Sequence, residues 1–509
     1  MSSASDADHA TSSGPGPQDP PAPSGHLTAE EFRRQGHQVI DWIAEYWESV
    51  AELPVLSQVG PGEVRSALPD SLPQQGEPLE NVIADLDDIL LPGITHWQHP
   101  RFFAYFPANS TPASVLGDLL SSGIGAQGML WATSPAVTEL EQQVLDSFAT
   151  VLGLPQAFSS SGAGGGVIQD TASTATFTAL LAALHRVSRG AARTDGVGAG
   201  RYAVYGSSQA HSSLLKAVMM AGLGERSLRS VPVEPFTQQL DVAALDAAIR
   251  ADLAAGITPV MIQAAVGTTG TGAVDPVRAM GSLAQEFGIW LHVDAAWAGV
   301  AAVCPELRWV IDGVGEFADS FVTNPHKWLL TTFDCSTFWV RDREALIGAL
   351  SILPEYLRNP ASESGVVVDY RDWHPQLGRR FRALKLWTVL RSYGVVGLQH
   401  HIRAGVQQAR RIADLVLQDE QLVFAAPPVL GLVAFRLADR PELTPAAADR
   451  LLLAAMHAVN ASGIAYFSHA QVDDRVAIRW AVGGWRTTDA DIDLSWRALT
   501  GQFAAALPH

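Results

Sequence analysis

The sequence predicts an α/β fold in which a mostly parallel sheet is flanked by helices. Three observations support this prediction. Beyond Gly200, short strand-like apolar runs alternate regularly with helix-like segments. The connections between successive strands are long enough for helical crossovers, which parallel strands require. The chain of 509 residues is also long enough for two or three domains around a large buried core.

Composition narrows the class of protein. The formal net charge is −18 and no basic run is present, so neither nucleic acid nor an anionic membrane is expected as a partner. The only two cysteines, Cys304 and Cys335, show neither a disulfide nor a metal-site spacing, so no metal is expected. These features are typical of a soluble enzyme of the reducing cytoplasm.

The N-terminal part of the chain is predicted to be a tail followed by an arm. Residues 1–25 are rich in Ser, Pro and Gly, without a basic start or an apolar run, so we expect a disordered tail. Thr28 to Glu31 resembles a capping box, which predicts that a helix with an apolar face begins there. The proline-rich stretch 53–93 favours an arm over an independent core. Residues 26–107 are therefore expected to form a helical arm and dimerisation segment.

An aromatic run and a second helix start follow. The run 99–107 either fills core or serves the site, and the residues alone leave both interpretations open. Ser134 and Pro135 then supply a cap and a first-turn proline, which predict the start of a helix.

A loop of small residues is predicted at 159–167, before a helix that reaches about Arg189. Backbone amides and hydroxyls at such a helix start, at 170–176, can hold a phosphate group. The glycines nearly match the dinucleotide fingerprint, but Val167 replaces the third glycine and no clear strand precedes the loop. A nicotinamide-dependent dehydrogenase is therefore only a remote alternative.

The central part of the chain predicts six strands, at 202–205, 229–233, 259–266, 289–293, 319–323 and 335–340. Intervening helices are predicted from about His211, Asp241 and Asp275. A long helix at 379–393 should end at Gly394, and an alternating α+β pattern follows it. We therefore expect a large domain at 108–390 and a small C-terminal domain at 391–509.

Two ionisable residues are predicted to lie at strand ends, where ligands bind in open α/β sheets. Asp294 follows one strand, and Lys327 follows another in a break formed by Pro325. The chain has only three lysines, and the other two, Lys216 and Lys385, lie in helix-like runs. On local sequence alone, a solvated loop lysine is an equally good interpretation of Lys327.

A lysine, a strand-end aspartate and a hydroxyl-rich helix start are the parts needed to hold pyridoxal 5'-phosphate. The lysine can form a Schiff base, and the carboxylate favours a protonated pyridinium ring that accepts electrons. A non-catalytic protein that binds the same cofactor remains an alternative. The residues thus point to cofactor chemistry without fixing the reaction.

Four motifs extend this interpretation: His292 to Gly299, Asn324 to Trp328, Gln209 to Ser213, and Leu377 to Phe381. In order and spacing they resemble the pyridoxal-phosphate-dependent aromatic-L-amino-acid decarboxylases of fold type I, from about Thr28 to the last domain. The resemblance implies a mostly parallel seven-stranded sheet, a helical N-terminal arm and a small α+β C-terminal domain. It also implies a homodimer with interface active sites, which releases carbon dioxide from an aromatic amino acid to form an arylalkylamine.

The resemblance assigns roles to individual residues. Lys327 becomes the Schiff-base lysine, Asp294 the pyridinium partner and His211 the ring that stacks on the cofactor. Tyr356 becomes the proton donor, on a loop that acts as a lid. The cofactor-binding set is Ala172, Ser173, His211, Thr269, Asp294, Asn324, His326 and Lys327. The substrate-binding set is Trp97, Tyr105, Phe106, Pro107, Gln127, Met129 and Gly378, with Gln127 and Met129 contributed by the other subunit.

Some positions bear on specificity. Animal members carry aliphatic and aromatic residues at Gln127 and Met129, and a threonine where this chain has Ala108-Asn109-Ser110. Whether Asn109 or Ser110 makes that threonine's contact is left open. A glycine at Gly378 is typical of indole-accepting plant relatives, whereas phenol-accepting ones have serine. Tyr356 favours simple decarboxylation, because related aldehyde synthases commonly have phenylalanine there. An aldehyde synthase, or a decarboxylase of another amino acid, is the main alternative.

Overall fold

The computed structural model describes residues 26–198, 201–352 and 367–506, with side chains as far as 504. The predicted tail 1–25 and Tyr356 with its loop lie outside the described residues. The described chain divides into two compact units. The first contains 26–50 and 59–94, and the second contains 51–58 and everything from Thr95 onward. No helix within the described ranges is long and apolar enough to cross a membrane.

The first unit consists of three helices, α1 (Ala29–Ser49), α2 (Glu63–Ala67) and α3 (Leu79–Asp85). The predicted capping box is present, because the Thr28 hydroxyl accepts the Glu31 amide hydrogen while the Glu31 carboxylate accepts that of Thr28 (2.7 Å). No residue of α1 is buried, and Phe32 is 63% exposed. The predicted helix therefore forms, and apolar side chains remain accessible on it.

The second unit is built on a seven-stranded sheet in the order β1-β7-β6-β5-β4-β2-β3. Its strands are β1 (Gly165–Gln169), β2 (Tyr202–Ser207), β3 (Leu228–Val231), β4 (Thr258–Ala265), β5 (Trp290–Asp294), β6 (Ser320–Thr323) and β7 (Ser336–Val340). β7 runs antiparallel to both β1 and β6, and the other neighbouring pairs are parallel. The predicted mostly parallel α/β sheet is confirmed.

Helices cover both faces of this sheet, and large apolar clusters fill the space between the layers. They are α4 (Pro112–Ile124), α5 (Pro135–Leu152), α6 (Ala172–Ser188), α7 (Ala191–Thr194), α8 (Ser213–Met220), α9 (Val242–Ala254), α10 (Val277–Phe287), α11 (Val314–Phe317), α12 (Pro325–Trp328), α13 (Arg343–Leu350) and α14 (Arg382–Gln418). α14 is interrupted at Gly394, whose φ of 60° is non-helical, so the predicted helix end is confirmed there. Ser134 precedes α5 as predicted, but its side chain makes no capping hydrogen bond.

The predicted small-residue loop 159–167 is wrong over its last three residues, because Gly165 to Val167 belong to β1. A Cβ atom on Gly166 would lie 2.7 Å from the Trp339 ring of β7. The missing side chain thus allows β1 to pack closely against its neighbour. Packing accounts for this glycine, which weakens the dinucleotide interpretation.

The C-terminal part forms a second, antiparallel sheet in the order β10-β11-β9-β8. Its strands are β8 (Leu422–Phe424), β9 (Leu432–Leu437), β10 (Ser468–Val472) and β11 (Arg475–Ala481). Helices α15 (Pro445–Ala461) and α16 (Asp489–Ala506) accompany it, over a third apolar cluster. The predicted small α+β element is therefore present.

Candidate functional site

A cavity of about 220 Å³ opens at the carboxyl edge of the large sheet. β1 runs in the same direction as β6, because both are antiparallel to β7. Segments that follow β1, β2, β4, β5 and β6 therefore meet at this edge, as expected for an open α/β sheet. Nine predicted site residues line the cavity: Phe106, Ala172, Ser173, His211, Thr269, Asp294, Asn324, His326 and Lys327.

Lys327 lies in the single-turn helix α12, directly after β6. Its Nζ is 5.3 Å from the centroid of the Phe106 ring, and within the described residues it makes no hydrogen bond. Burial lowers the pKa of Lys327; the Asp294 carboxylate opposes this shift, and the charge of Arg479 adds to it. A larger fraction of the amine is therefore neutral, the form that attacks a carbonyl carbon.

Asp294 ends β5 and is only 9% exposed, so it is not the solvated turn carboxylate that local sequence also allows. Its Oδ1 accepts the Ala296 amide hydrogen (3.1 Å), and its Oδ2 accepts a hydrogen from Gln263 Nε2 (3.2 Å). Both oxygens are thus held by donors that carry no charge. A carboxylate at the cavity wall suits a cationic ring nitrogen.

His211 follows β2 and presents an imidazole to the cavity. Its Nδ1 accepts the Ser213 amide hydrogen (3.2 Å) and lies 2.9 Å from the Ser213 hydroxyl. A neutral ring therefore carries its proton on Nε2. Burial lowers the pKa of His211, although Asp294 opposes the shift, which favours an uncharged ring near neutral pH.

The N-terminus of α6 supplies the anion-binding side of the cavity. Thr171 caps this 17-residue helix by accepting the Thr174 amide hydrogen, and Ala172 and Ser173 form its first turn. Free amide groups and the positive end of the helix dipole favour a phosphate at such a place. On the opposite wall, Asn324 Oδ1 accepts the Ser336 hydroxyl hydrogen (2.6 Å), which fixes that side chain.

His326 also faces the cavity, but its ring is held by the backbone. Its Nδ1 accepts the Cys335 amide hydrogen (2.9 Å), and the ring is 4% exposed. Burial and the neighbouring Lys327 charge lower the pKa of His326 to about 3. This neutral ring helps to shape the cavity wall.

An aromatic stack extends from the cavity into the core. The Phe106 ring stacks on Trp297 at 4.4 Å between centroids, and Trp297 stacks on Trp328 at 5.2 Å. The aromatic run that sequence left open therefore serves two purposes: Phe106 lines the cavity, and Phe103 packs in the third apolar cluster.

Arg479 is a neighbour of the cavity that sequence reasoning missed. Its guanidinium lies 4.9 Å from the Phe106 ring centroid, and the residue is 2% exposed. Nη1 donates to the Ser468 hydroxyl (3.0 Å), whereas Nε and Nη2 have no hydrogen-bond partner among the residues that the structure describes. Burial lowers the pKa of Arg479 to about 10. An arginine within the apolar strand Arg475–Ala481 was the only sequence signal for it.

Asn109 and Ser110 were both candidates for the contact that a threonine makes in animal relatives, and the sequence did not decide between them. Its Nδ2 donates to the backbone carbonyls of Lys327 (2.8 Å) and Gly483 (3.0 Å), and its Oδ1 accepts the Trp485 amide hydrogen (2.9 Å). Ser110 instead donates its amide hydrogen to Gln98 (2.8 Å). Of the two candidates, Asn109 therefore contacts the Lys327 segment.

The remaining predicted substrate residues lie away from the cavity. Trp97 and Tyr105 stack at 5.7 Å and are 42% and 49% exposed, and Pro107 is buried beside Gly483. Gln127 is exposed, and its Oε1 accepts the Arg379 amide hydrogen (2.6 Å).

Gly378 and Met129 belong to the same surface as Gln127. A Cβ atom on Gly378 would lie 3.6 Å from Gln127 Nε2, and the Met129 carbonyl accepts the Arg371 amide hydrogen (3.0 Å). The described cavity therefore contains all the predicted cofactor-binding residues. Of the predicted substrate-binding residues, only Phe106 lines it.

Comparison with known proteins gives consistent matches along the chain. A family model described as "Pyridoxal-dependent decarboxylase conserved domain" matches residues 61–438. Phenylacetaldehyde synthase of Arabidopsis thaliana is 44% identical, over 93% of this chain and 96% of its own length. Tryptophan decarboxylase 2 of Oryza sativa subsp. japonica is 43% identical, over 94% and 96%. The crystal structure of Oryza sativa TDC with PLP and tryptamine has a TM-score of 0.91 at 40% identity, over 95% of this chain and 99% of that chain.

Proposed function

The chain belongs to the pyridoxal-dependent decarboxylase family, and from that premise we propose that it converts an aromatic L-amino acid into the corresponding arylalkylamine and carbon dioxide. Its cofactor is pyridoxal 5'-phosphate. The observation that carries the proposal is the convergence of Lys327, Asp294 and His211 on one cavity. These residues come from three separate parts of the chain and meet only at the carboxyl edge of the sheet.

The donor set of the cavity fits this cofactor. The Lys327 amine suits an aldehyde, the Asp294 carboxylate suits a protonated ring nitrogen, and the start of α6 suits a phosphate. When bound, pyridoxal phosphate supplies an electron sink for the bond that breaks between the α-carbon and the carboxylate. The described cavity walls thus carry an amine, a carboxylate and a helix start that support the assignment of this cofactor.

The protein residues bind, orient and move protons. Lys327 is the amine that would hold the cofactor covalently. The Asp294 carboxylate would pair with the protonated ring nitrogen, and the His211 ring would pack against the cofactor ring. Arg479 contributes electrostatically, because its charge helps to lower the pKa of Lys327.

Tyr356 lies outside the described residues and enters through the family resemblance. We assign to its hydroxyl the return of a proton to the substrate α-carbon after the carboxylate has left. Tyr356→Phe should keep carbon dioxide release but divert product from amine towards aldehyde, ammonia and hydrogen peroxide. Quantification of amine, aldehyde, ammonia and hydrogen peroxide, together with oxygen consumption, measures this change. If the variant releases only amine, another group donates the proton.

An aromatic aldehyde synthase is the second candidate, favoured by the 44% identity to a phenylacetaldehyde synthase. That reaction consumes oxygen and water, and releases aldehyde, ammonia and hydrogen peroxide with the carbon dioxide. The tyrosine at position 356 argues for the decarboxylase. Product analysis of the unmodified enzyme in air distinguishes the two, since only the synthase produces stoichiometric peroxide.

The assembly is also part of the proposal. We propose a cytoplasmic homodimer in which residues 26–107 are the dimerisation arm, 108–390 bind the cofactor and 391–509 form the small domain. Exposure of Trp97, Tyr105 and Gln127 supports a site completed by a second copy. Both cysteines are free and buried, as suits a reducing compartment. Light scattering after size exclusion should give twice the chain mass of 54.3 kDa.

A substrate panel tests the central proposal. The purified holoenzyme should release amine and carbon dioxide from at least one of phenylalanine, tyrosine, dopa, tryptophan and 5-hydroxytryptophan. Glutamate and histidine serve as controls for other decarboxylase specificities, and Gly378 argues against histidine. A holoenzyme that carries the cofactor yet releases no amine from the five aromatic substrates contradicts the proposal.

A further inference from the structure

Gln263 is a fully buried polar residue in the middle of β4. Its register partner on β5 is His292, and Asp294 lies two residues beyond that partner. Side chains two residues apart point to the same face of a sheet, so Gln263, His292 and Asp294 share one face. This geometry brings the amide to the carboxylate from behind the cavity wall, since Gln263 itself does not line the cavity.

The amide of Gln263 contacts one oxygen of Asp294. Its Nε2 donates to Oδ2 at 3.2 Å, while the Ala296 amide donates to Oδ1 at 3.1 Å. Among the described residues, Gln263 is the side chain that donates a hydrogen bond to this carboxylate. Its removal would leave Oδ2 without a donor from the described protein.

Stability alone does not account for a glutamine at this place. Its Oε1 is buried and has no hydrogen-bond partner in the described part of the chain, and its strand neighbours Ile262 and Ala264 are fully buried apolar residues. A buried amide oxygen without a partner costs free energy that an apolar side chain would not cost. The bond to Asp294 is the interaction that this amide gains in return.

We propose that Gln263 is a positioning residue for the cofactor reaction, which fixes the direction of the Asp294 carboxylate so that it can pair with the ring nitrogen of the cofactor. This inference rests on the proposed function. The hydrogen bond from Nε2 restrains Oδ2, while the Ala296 amide restrains Oδ1. An amide donor carries no charge and has no titratable proton, so it orients the carboxylate without competing as a cation.

The other neighbour on the same face is consistent with this role. His292 lies between Ser320 (2.9 Å from Nδ1) and Thr176 (3.3 Å from Nε2). Burial lowers the pKa of His292 to about 4, so the ring is neutral at physiological pH. His292 therefore brings no positive charge to Asp294 on this face, and among the described residues Gln263 supplies the side-chain hydrogen-bond donor.

The chain offers a matched control for the test. Gln169 on β1 is 1% exposed, donates one hydrogen bond to the Trp373 carbonyl (3.4 Å) and also has an unpaired Oε1. It does not line the cavity and makes no hydrogen bond to Asp294. Gln169→Met and Gln263→Met therefore remove chemically similar buried amides, and only the second affects Asp294.

The experiment compares cofactor release and kinetics in these holoenzymes. In Gln263→Met, release of pyridoxal phosphate into a trapping apoenzyme should accelerate about tenfold, because a hydrogen bond to a charged group is lost. By the same reasoning kcat should fall about tenfold while KM changes less than about twofold. Gln169→Met should match the wild type in release and kcat. Gln263→Leu repeats the test with a different side-chain shape.

Two results would overturn the inference: unchanged release and kcat in both Gln263 variants, or an equal loss in Gln169→Met. Thermal unfolding of the apoproteins separates the proposed role from a general loss of stability, because Gln263→Met should unfold at the wild-type temperature or above it. A wild-type holoenzyme that forms no amine would contradict the proposed function instead. Cofactor release would still decide the role of Gln263 in that case.

Discussion

Two lysines of this protein lie in the folded interior or at its cavity and differ in their hydrogen bonds. Lys385 on α14 is fully buried, and its Nζ donates to Asp118 of α4 at 3.3 Å. Lys327 at the cavity is partly exposed, yet its Nζ has no hydrogen-bond partner within the described residues. The lack of a partner, rather than the degree of burial, therefore distinguishes the lysine suited to chemistry from the structural one.

Two buried arginines show the same contrast between a charged group that has a partner and one that lacks it in the described structure. Arg379 pairs with Glu141 at 2.6 Å, with both side chains at most 2% exposed, and also donates to the Ile168 carbonyl (3.0 Å). Arg479 is equally buried, but it has no carboxylate partner in the described structure and two unpaired nitrogens. The cavity region thus retains unneutralised positive charge, whereas the region around Arg379 pairs it.

The largest expected effect comes from Lys327→Ala. Turnover should fall by several orders of magnitude, because the anchoring amine is lost. The cofactor absorbance band near the visible edge should disappear as well. The apoprotein should remain as stable as the wild type, since Nζ makes no hydrogen bond there. Spectra, turnover and urea unfolding measure the three quantities. A variant that keeps both the band and turnover would remove Lys327 from the proposed role.

Glu141→Gln should have the next largest effect, on stability. It leaves the buried guanidinium of Arg379 without its charged partner, and such a loss lowers the free energy of unfolding by about 3–5 kcal/mol. Urea unfolding measures the change, and the double variant with Arg379→Met should recover part of it. A loss below about 1 kcal/mol would show that the Arg379–Glu141 pair contributes little to stability, which would contradict the contrast drawn between Arg379 and Arg479.

Lys385→Met should cost much less, about 1 kcal/mol. The Asp118 side chain is 25% exposed and keeps an ion pair with Arg380 at 3.0 Å, so its charge is not left isolated. Turnover per folded molecule should equal that of the wild type, in direct contrast to Lys327→Ala. Unfolding and turnover assays on Lys385→Met and Lys327→Ala, run in parallel, measure both quantities. A loss of turnover in Lys385→Met would contradict the structural role assigned to Lys385.

Gly378→Ser should have the smallest effect on stability, within about 0.5 kcal/mol. The new Cβ atom would lie 3.6 Å from Gln127 Nε2, which is ordinary van der Waals contact. Substrate preference should nevertheless shift from tryptophan towards tyrosine, because the family resemblance associates serine at this position with phenol-accepting enzymes. The ratio of the kcat/KM values for the two substrates measures this shift. Gly501→Ser, at an open helical position, is the control. An unchanged ratio of the two kcat/KM values would show that Gly378 does not determine substrate choice.

Most of the large sheet could be predicted from sequence, because β2 to β7 are apolar runs bounded by turn residues. β1 could not be predicted, because Gly165 and Gly166 have no intrinsic preference for a strand. Its pairing with β7 and the contact of Gly166 with Trp339 stabilise the strand, and both depend on residues more than a hundred positions away.

The sequence by itself determined the fold class and the positions of Lys327 and Asp294 at strand ends, whereas the site role of His211 came from the family resemblance. Local periodicity and chain breaks encode such positions. Only the tertiary structure decided which distant groups surround them: Asn109 on the Lys327 carbonyl, Gln263 on Asp294, and Arg479 over Phe106. These contacts join residues that are 218, 31 and 373 positions apart, in that order, so no local pattern can specify them. Strand pairing within the large sheet brings Gln263 to Asp294, whereas Arg479 reaches Phe106 from the second sheet. Within the described residues, the same tertiary packing pairs Lys385 with Asp118 and gives the Lys327 amine no hydrogen bond.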